Sequence, residues 1–176
     1  MAQDPVSGAG GLPPDVLDKL RRSMPLRMTA MGAFILDGQP VEHPRVIAAL
    51  RAGLGVTDSA EVRVGIGVHW VYLEVDDTPL RATAVTVDDE GAARMRLDDG
   101  RTVALDPGTL WDEPERGLRC QAPAADGSGA LAVRFTNRAQ MDLAPWLEID
   151  DDGSAVLALP GARHPIPSRA SQSLPT

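Results

Sequence analysis

Cysteine occurs once in this chain, lysine once, and the aromatics number six: three tryptophans, two phenylalanines and one tyrosine. The lone Cys120 excludes an internal disulfide framework and any all-cysteine metal cluster. Long hydrophobic runs are also missing. The longest uncharged apolar stretch, Val64 to Leu73, is about half the ~20 residues needed to cross a bilayer as a helix. The opening residues, MAQDPVSGAGG, carry neither the basic nor the apolar region of a secretory signal, so a cytoplasmic location is expected. Positive charge is in deficit, with 17 basic against 25 acidic residues and a net charge of −8. That balance disfavours nucleic acid and anionic membrane surfaces as partners.

What is present is enough to build a core. With 176 residues, 43% of them hydrophobic, the chain fits one domain or two small ones. Sixteen of the basic residues are arginine, and aspartate outnumbers glutamate 18 to 7. This bias fits planar guanidinium chemistry at anionic sites, and equally the codon usage of a GC-rich genome.

Residues 1–14 and 161–176 are rich in Gly, Pro and small polar residues and read as flexible tails. Pro13-Pro14-Asp15 opens a short helix with Val16, Leu17 and Leu20 on one face. A second helix starts at Pro44, repeats Val46, Ile47, Leu50 and Leu54, and stops at Gly53 and Gly55. The remainder alternates strands and tight turns. Asp37-Gly38, Asp99-Gly100 and Asp152-Gly153 each separate apolar runs, a hairpin signature because the turn needs positive φ. From Glu61, one long strand is expected to present Val62, Val64, Ile66, Val68 and Trp70 on one face and Arg63 and His69 on the other. The apolar phase then shifts at Val71, which predicts a bulge or bend near His69 and Trp70. Leu73-Glu74-Val75-Asp76-Asp77 is echoed by Leu147-Glu148-Ile149-Asp150-Asp151. A rival alignment pairs Asp98-Asp99-Gly100 with Asp151-Asp152-Gly153. The expected architecture is α+β: two related antiparallel β-rich halves, 15–107 and 108–160, with a few short helices.

Known chemistries find little support. His43, His69 and His164 are too dispersed for a metal site. Glu148, Asp150 and Asp152 begin an EF-hand-like loop that fails where Leu159 replaces the bidentate glutamate. Cys120 lies on a short strand as a small buried hydrophobe, Ser128 lacks the glycines of a nucleophile elbow, and no phosphate-binding loop occurs. No cofactor is implied. Arginines on strand faces remain: Arg134 projects opposite Leu131, Val133 and Phe135, as Arg63 does on its own strand, and both suit a phosphate or carboxylate or, equally, solvated pairing with the abundant aspartates.

The segment Phe34 to Val87 resembles the bacterial DUF1285 family, whose function is unassigned. The resemblance is carried by FILDGQPV, the helix from His43-Pro44 to Leu54, and EVRVGIGVHWVYLEVDDTPL, above all Leu73-Glu74-Val75-Asp76-Asp77-Thr78-Pro79-Leu80. It implies a duplicated core with a pleckstrin-homology-like C-terminal half, a nucleotide-like ligand between the halves, and a role in signal transduction. The chain departs from the family pattern at His43 and at Gly65-Ile66-Gly67-Val68.

Together these readings predict a non-catalytic binding or signalling module. A small anionic ligand is expected between the halves, held by Arg63, His69 and Arg134, with Trp70 or Trp111 as an aromatic platform. The alternatives are a protein-interaction adaptor, docking a protein partner through a strand edge or the first helix, and a small hydrolase using Cys120 or a carboxylate pair.

Overall fold

The computed structural model describes residues 13–169. Its first part runs α1 (Pro14–Ser23), β1 (Leu26–Met28), β2 (Phe34–Leu36), β3 (Gln39–Pro40), α2 (Pro44–Ala52), β4 (Leu54–Val56), β5 (Val62–Ile66), β6 (His69–Tyr72) and β7 (Glu74–Val75). Then come β8 (Leu80–Val87), β9 (Ala93–Leu97), β10 (Thr102–Ala104), β11 (Trp111–Glu113), β12 (Gly117–Pro123) and β13 (Ala130–Phe135). The chain continues with α3 (Asn137–Leu143), β14 (Leu147–Ile149), β15 (Ala155–Leu159) and β16 (Ala162–Ile166). The class is α+β, with three short helices over several sheets. No described helix is long and apolar enough to cross a membrane.

The largest sheet has the order β10-β9-β8-β13-β12-β11 and is antiparallel except where β8 and β13 run parallel. Strands from both sides of residue 107 therefore share one sheet. Smaller sheets follow the orders β3-β2-β1-β7, β4-β5-β6 and β14-β15-β16. Their apolar faces meet in one core that includes Met28, Phe34, Leu54, Leu80, Met95, Leu131 and Phe135.

Both expected helices form where proline fixes φ at their starts, and Gly53 caps α2. Gly53 is needed for another reason too: a Cβ there would lie 2.0 Å from the Gly65 carbonyl oxygen. Helix α3 has a quieter signature. The Thr136 hydroxyl accepts from the Ala139 amide as an N-cap, and Ala139 and Leu143, four residues apart, are buried.

Three expectations need correction. The long strand from Glu61 is a hairpin: β5 and β6 pair Ile66 with His69 around Gly67 and Val68. Gly67, at φ +62°, makes a two-residue turn there, so the apolar phase shift marks a chain reversal rather than a bulge. The tail expected from 161 holds β16, whose residues pair with β15 from Ala155 to Leu159, so its structured part extends the last sheet. Residues 1–12 and 170–176 of the expected tails lie outside the described residues. The two halves of the first echo also differ in pairing, since β7 runs parallel to β1 and β14 antiparallel to β15. The rival alignment joins like with like, for Asp99-Gly100 and Asp152-Gly153 both turn antiparallel hairpins at positive-φ glycines.

Candidate functional site

Residues directly opposite one another in a sheet share a face, about 5 Å apart from strand to strand. Ladder pairing aligns Trp111 with Arg119, Arg119 with Arg134, and Arg134 with Arg81. Three arginines and a tryptophan thus form one row across β11, β12, β13 and β8. No single strand reveals that row, because it is assembled by register.

The row is neutralised from above by the segment that links β7 to β8. Arg119 is 3% exposed and Asp77 only 7%, and they meet at 2.5 Å. Glu113, on β11, closes against the Arg119 Nε. The same Asp77 carboxylate accepts from Arg134 Nη1 at 3.2 Å. Arg116 approaches Glu113 at 3.5 Å and Asp77 at 3.9 Å. A buried cation is stable only beside its carboxylates, so Arg119 depends on Asp77 and Glu113 together. At the other end of the row, Arg81 and Arg51 share Asp98, and Arg51 also donates to the Gly32 carbonyl, tying α2 to the sheet.

Two hollows meet at Asp76, Asp77 and Arg116. A cavity of about 490 Å³ is lined by two arginines, Arg116 and Arg134, three carboxylates, Asp76, Asp77 and Glu115, and by Asn137 and Gln140. A groove of about 1230 Å³ runs alongside, between β1 and β7 on one flank and β11 to β13 on the other. Arg134 and Arg116 are 31% and 52% exposed. Among the described residues the Arg134 guanidinium donates one hydrogen bond and Arg116 makes only longer ion-pair contacts, so both retain donors for a ligand. Glu115 holds a positive φ of 67° in the three-residue loop between β11 and β12, a conformation costly for a side chain with a Cβ. The strained loop is the one that places Arg116 at the cavity.

Of the residues anticipated from the sequence, Arg63, His69 and Trp70 share the β5–β6 hairpin, where the Arg63 guanidinium lies 5.8 Å from the Trp70 ring, while Arg134 and Trp111 lie on the six-stranded sheet. Arg134 borders the smaller cavity and Trp111 the larger groove. Arg63 lies on β5 and is spent elsewhere, donating to Asp126 at 2.7 Å and to the Val56 carbonyl. Burial pushes the Asp126 carboxyl up, but Ser128 hydrogen bonds and the Arg63 charge outweigh it and hold the group below its usual range. Trp70 packs under Arg21 at 3.9 Å and edge-on to Tyr72, which occupies its ring. His69 is exposed at the start of β6. The face of Trp111 carries the Arg169 guanidinium at 4.9 Å. Arg63 and Arg134, expected to line one hollow, sit on different sheets with different carboxylates.

The residues that sequence reading missed are Asp77, Glu113, Arg116 and Arg119. Asp77 stood in plain view within Leu73–Leu80, the run that carries the family resemblance. Cys120 points away from this face, with its sulfur 3.6 Å from that of Met95, and burial pushes its thiol up to about 12. A thiolate nucleophile is thereby excluded at neutral pH.

No family model matches the chain, and no curated protein matches it. Among solved structures it is similar to a DUF1285 family protein from Silicibacter pomeroyi DSS-3, with TM-score 0.63 and 19% identity over 81% of this chain and 79% of that one. A DUF1285 family protein from Shewanella baltica OS155 aligns with TM-score 0.49 and 18% identity, covering 65% of this chain and 86% of that chain. The chain has the fold of the first of these, so the DUF1285 resemblance is shown at the level of the fold.

Proposed function

We propose that the chain is a non-catalytic module that binds a small anionic, nucleotide-like ligand in the cavity beside Asp77. Arg134 and Arg116 supply the charge-assisted hydrogen bonds, and Asn137 and Gln140 border the same space with carboxamides. The observation that carries this reading is the division of labour within the arginine row. Arg119 is buried and consumed by Asp77 and Glu113, whereas Arg134 and Arg116 stand beside it with unspent donors facing the cavity. The buried Asp77 carboxylate holds the Arg134 guanidinium at 3.2 Å before any ligand arrives, which lowers the ordering cost of binding.

Binding rather than turnover suits the two aspartates at the cavity. Asp77 is engaged by Arg119 and Arg134, and Asp76 accepts from Arg27 at 2.6 Å, so neither is free to act as a base. Signalling is the role that the DUF1285 resemblance adds to this reading. The test is thermal stability in the presence of nucleotides, inorganic phosphate and dicarboxylates. A bound ligand at 100 times its dissociation constant stabilises by about 2.7 kcal/mol, and Arg134→Gln abolishes that gain while the unliganded protein stays folded. No stabilisation by any anion of the panel would remove the proposal.

A further inference from the structure

An outermost strand normally presents a row of unpaired amides and carbonyls. β11 is the outer strand of the six-stranded sheet, yet its central residue is occupied. The Asp112 amide donates to the Pro167 carbonyl at 3.0 Å, and the Asp112 carbonyl accepts from the Arg169 amide at 2.8 Å. Ser168 thereby forms a parallel bridge with Asp112. The strand addition is a single rung long.

A side chain completes the contact. Arg169 lays its guanidinium over the Trp111 ring at 4.9 Å, and both residues border the large groove. The rung reads only extended backbone, while the ring face selects a flat cation. Pro167 suits the segment to this use, because its fixed φ favours extended chain and its missing N–H leaves only an acceptor to face the edge. These contacts amount to two hydrogen bonds and one exposed ring contact, few enough for a competing strand to replace.

We propose that the β11 edge and the Trp111 ring form a docking site for an extended, arginine-bearing segment of a partner protein, held closed in cis by Pro167–Arg169. The resident segment displays the chemistry that the site accepts, and the net charge of −8 favours a basic incoming strand over an acidic one. Docking is then an exchange. The partner's strand takes the Asp112 rung, its arginine takes the ring, and the cis segment lowers the apparent affinity by the fraction of time it stays in place. This site is independent of the anion cavity, since neither Asp112 nor Arg169 borders that cavity.

The test is fluorescence anisotropy with a labelled peptide of residues 166–172, Ile-Pro-Ser-Arg-Ala-Ser-Gln, titrated with the full chain. Arg169→Ala, an exposed substitution that removes the cis competitor's anchor, is expected to bind the peptide about tenfold more tightly than the parent chain. Adding Trp111→Leu to Arg169→Ala, or placing alanine for arginine in the peptide, is expected to reverse that gain, with melting curves confirming that each variant is folded. Equal binding by the parent chain and Arg169→Ala overturns the proposal, as does equal binding of the peptide without arginine. A dimer of the parent chain in sedimentation that Arg169→Ala abolishes also overturns it, because the occupant is then a second copy.

Discussion

Arginine is used in two ways in this molecule, and the contrast between the regions separates structure from readiness to bind. Around α1 and the β5–β6 hairpin, guanidinium groups lie on the outside: Arg22 joins Asp18 and Glu61 and covers the Tyr72 ring, while Arg21 covers Trp70. Helix α1 has no fully buried residue, so those surface contacts act beside the half-buried Val16 and Leu17 in holding it. On the six-stranded sheet the same side chain is buried with Asp77 and Glu113, while Arg134 beside it in register and Arg116 in the adjoining loop are left partly free. Water screens the first set and not the second. The chemistry is alike in both regions, and burial alone decides which can anchor a neighbouring site.

Asp77→Ala is expected to have the largest effect on stability. It removes one of the two carboxylates that pair the buried Arg119, leaving Glu113, and is expected to cost about 1.5–3 kcal/mol, read as a lower urea midpoint. A loss below about 1 kcal/mol would place the cluster in the same class as the surface pairs. Next in size is Gly53→Ala, where the new Cβ meets the Gly65 carbonyl at 2.0 Å, a backbone atom that cannot swing aside. The expected cost is about 1–3 kcal/mol with unchanged ligand response, separating packing at the hairpin from chemistry at the row.

Arg22→Ala sharpens the other side of the contrast. Its effect on the melting midpoint is expected to be small and to vanish near 1 M salt, where screening acts within about 3 Å. Asp77→Ala keeps its deficit under the same conditions. Acid probes the same surface pairs. Hydrogen bonds from Tyr72 and Arg22 hold the Asp18 carboxyl below its usual range, and the Arg22 hydrogen bond does the same for Glu61. A depressed carboxyl stabilises above its unfolded-state range and loses that contribution as pH falls through its folded value. The α1 contacts are thus intact above about pH 5 and weaken below it, readable as a shift of Tyr72 fluorescence in a tryptophan-free background. The smallest effect is expected at Cys120: a thiol reagent at pH 8 modifies it no faster than the chain opens, since burial keeps the thiol protonated.

Local rules carried much of the fold into view. Proline starts, the Gly53 stop and three Asp-Gly turns all depend on neighbours in sequence, and each lies where backbone geometry demands it. Alternation along β13 likewise placed Leu131, Val133 and Phe135 inside and Arg134 on the opposite face. The β5–β6 reversal was harder to read, because Ile66-Gly67-Val68 is apolar throughout and its turn rests on one glycine. The site was least legible. Arg134 was found as a strand-face arginine, but its neighbours Arg119 and Asp77 come from positions fifteen and fifty-seven residues away, brought together by strand register and by the β7–β8 bend. Arg63 obeys the same alternation and belongs to another sheet, so periodicity could not tell the two apart.

Arg134 and Arg116 are the guanidinium groups proposed to receive an anion. Arginine Nε–Hε resonances followed by NMR during titration with a nucleotide test this most directly. Saturable shifts confined to Arg134, Arg116 and their buried neighbour Arg119, with Arg22 and Arg163 unmoved, are the expected result. Shifts spread evenly over the exposed arginines, or none at the row, would contradict it.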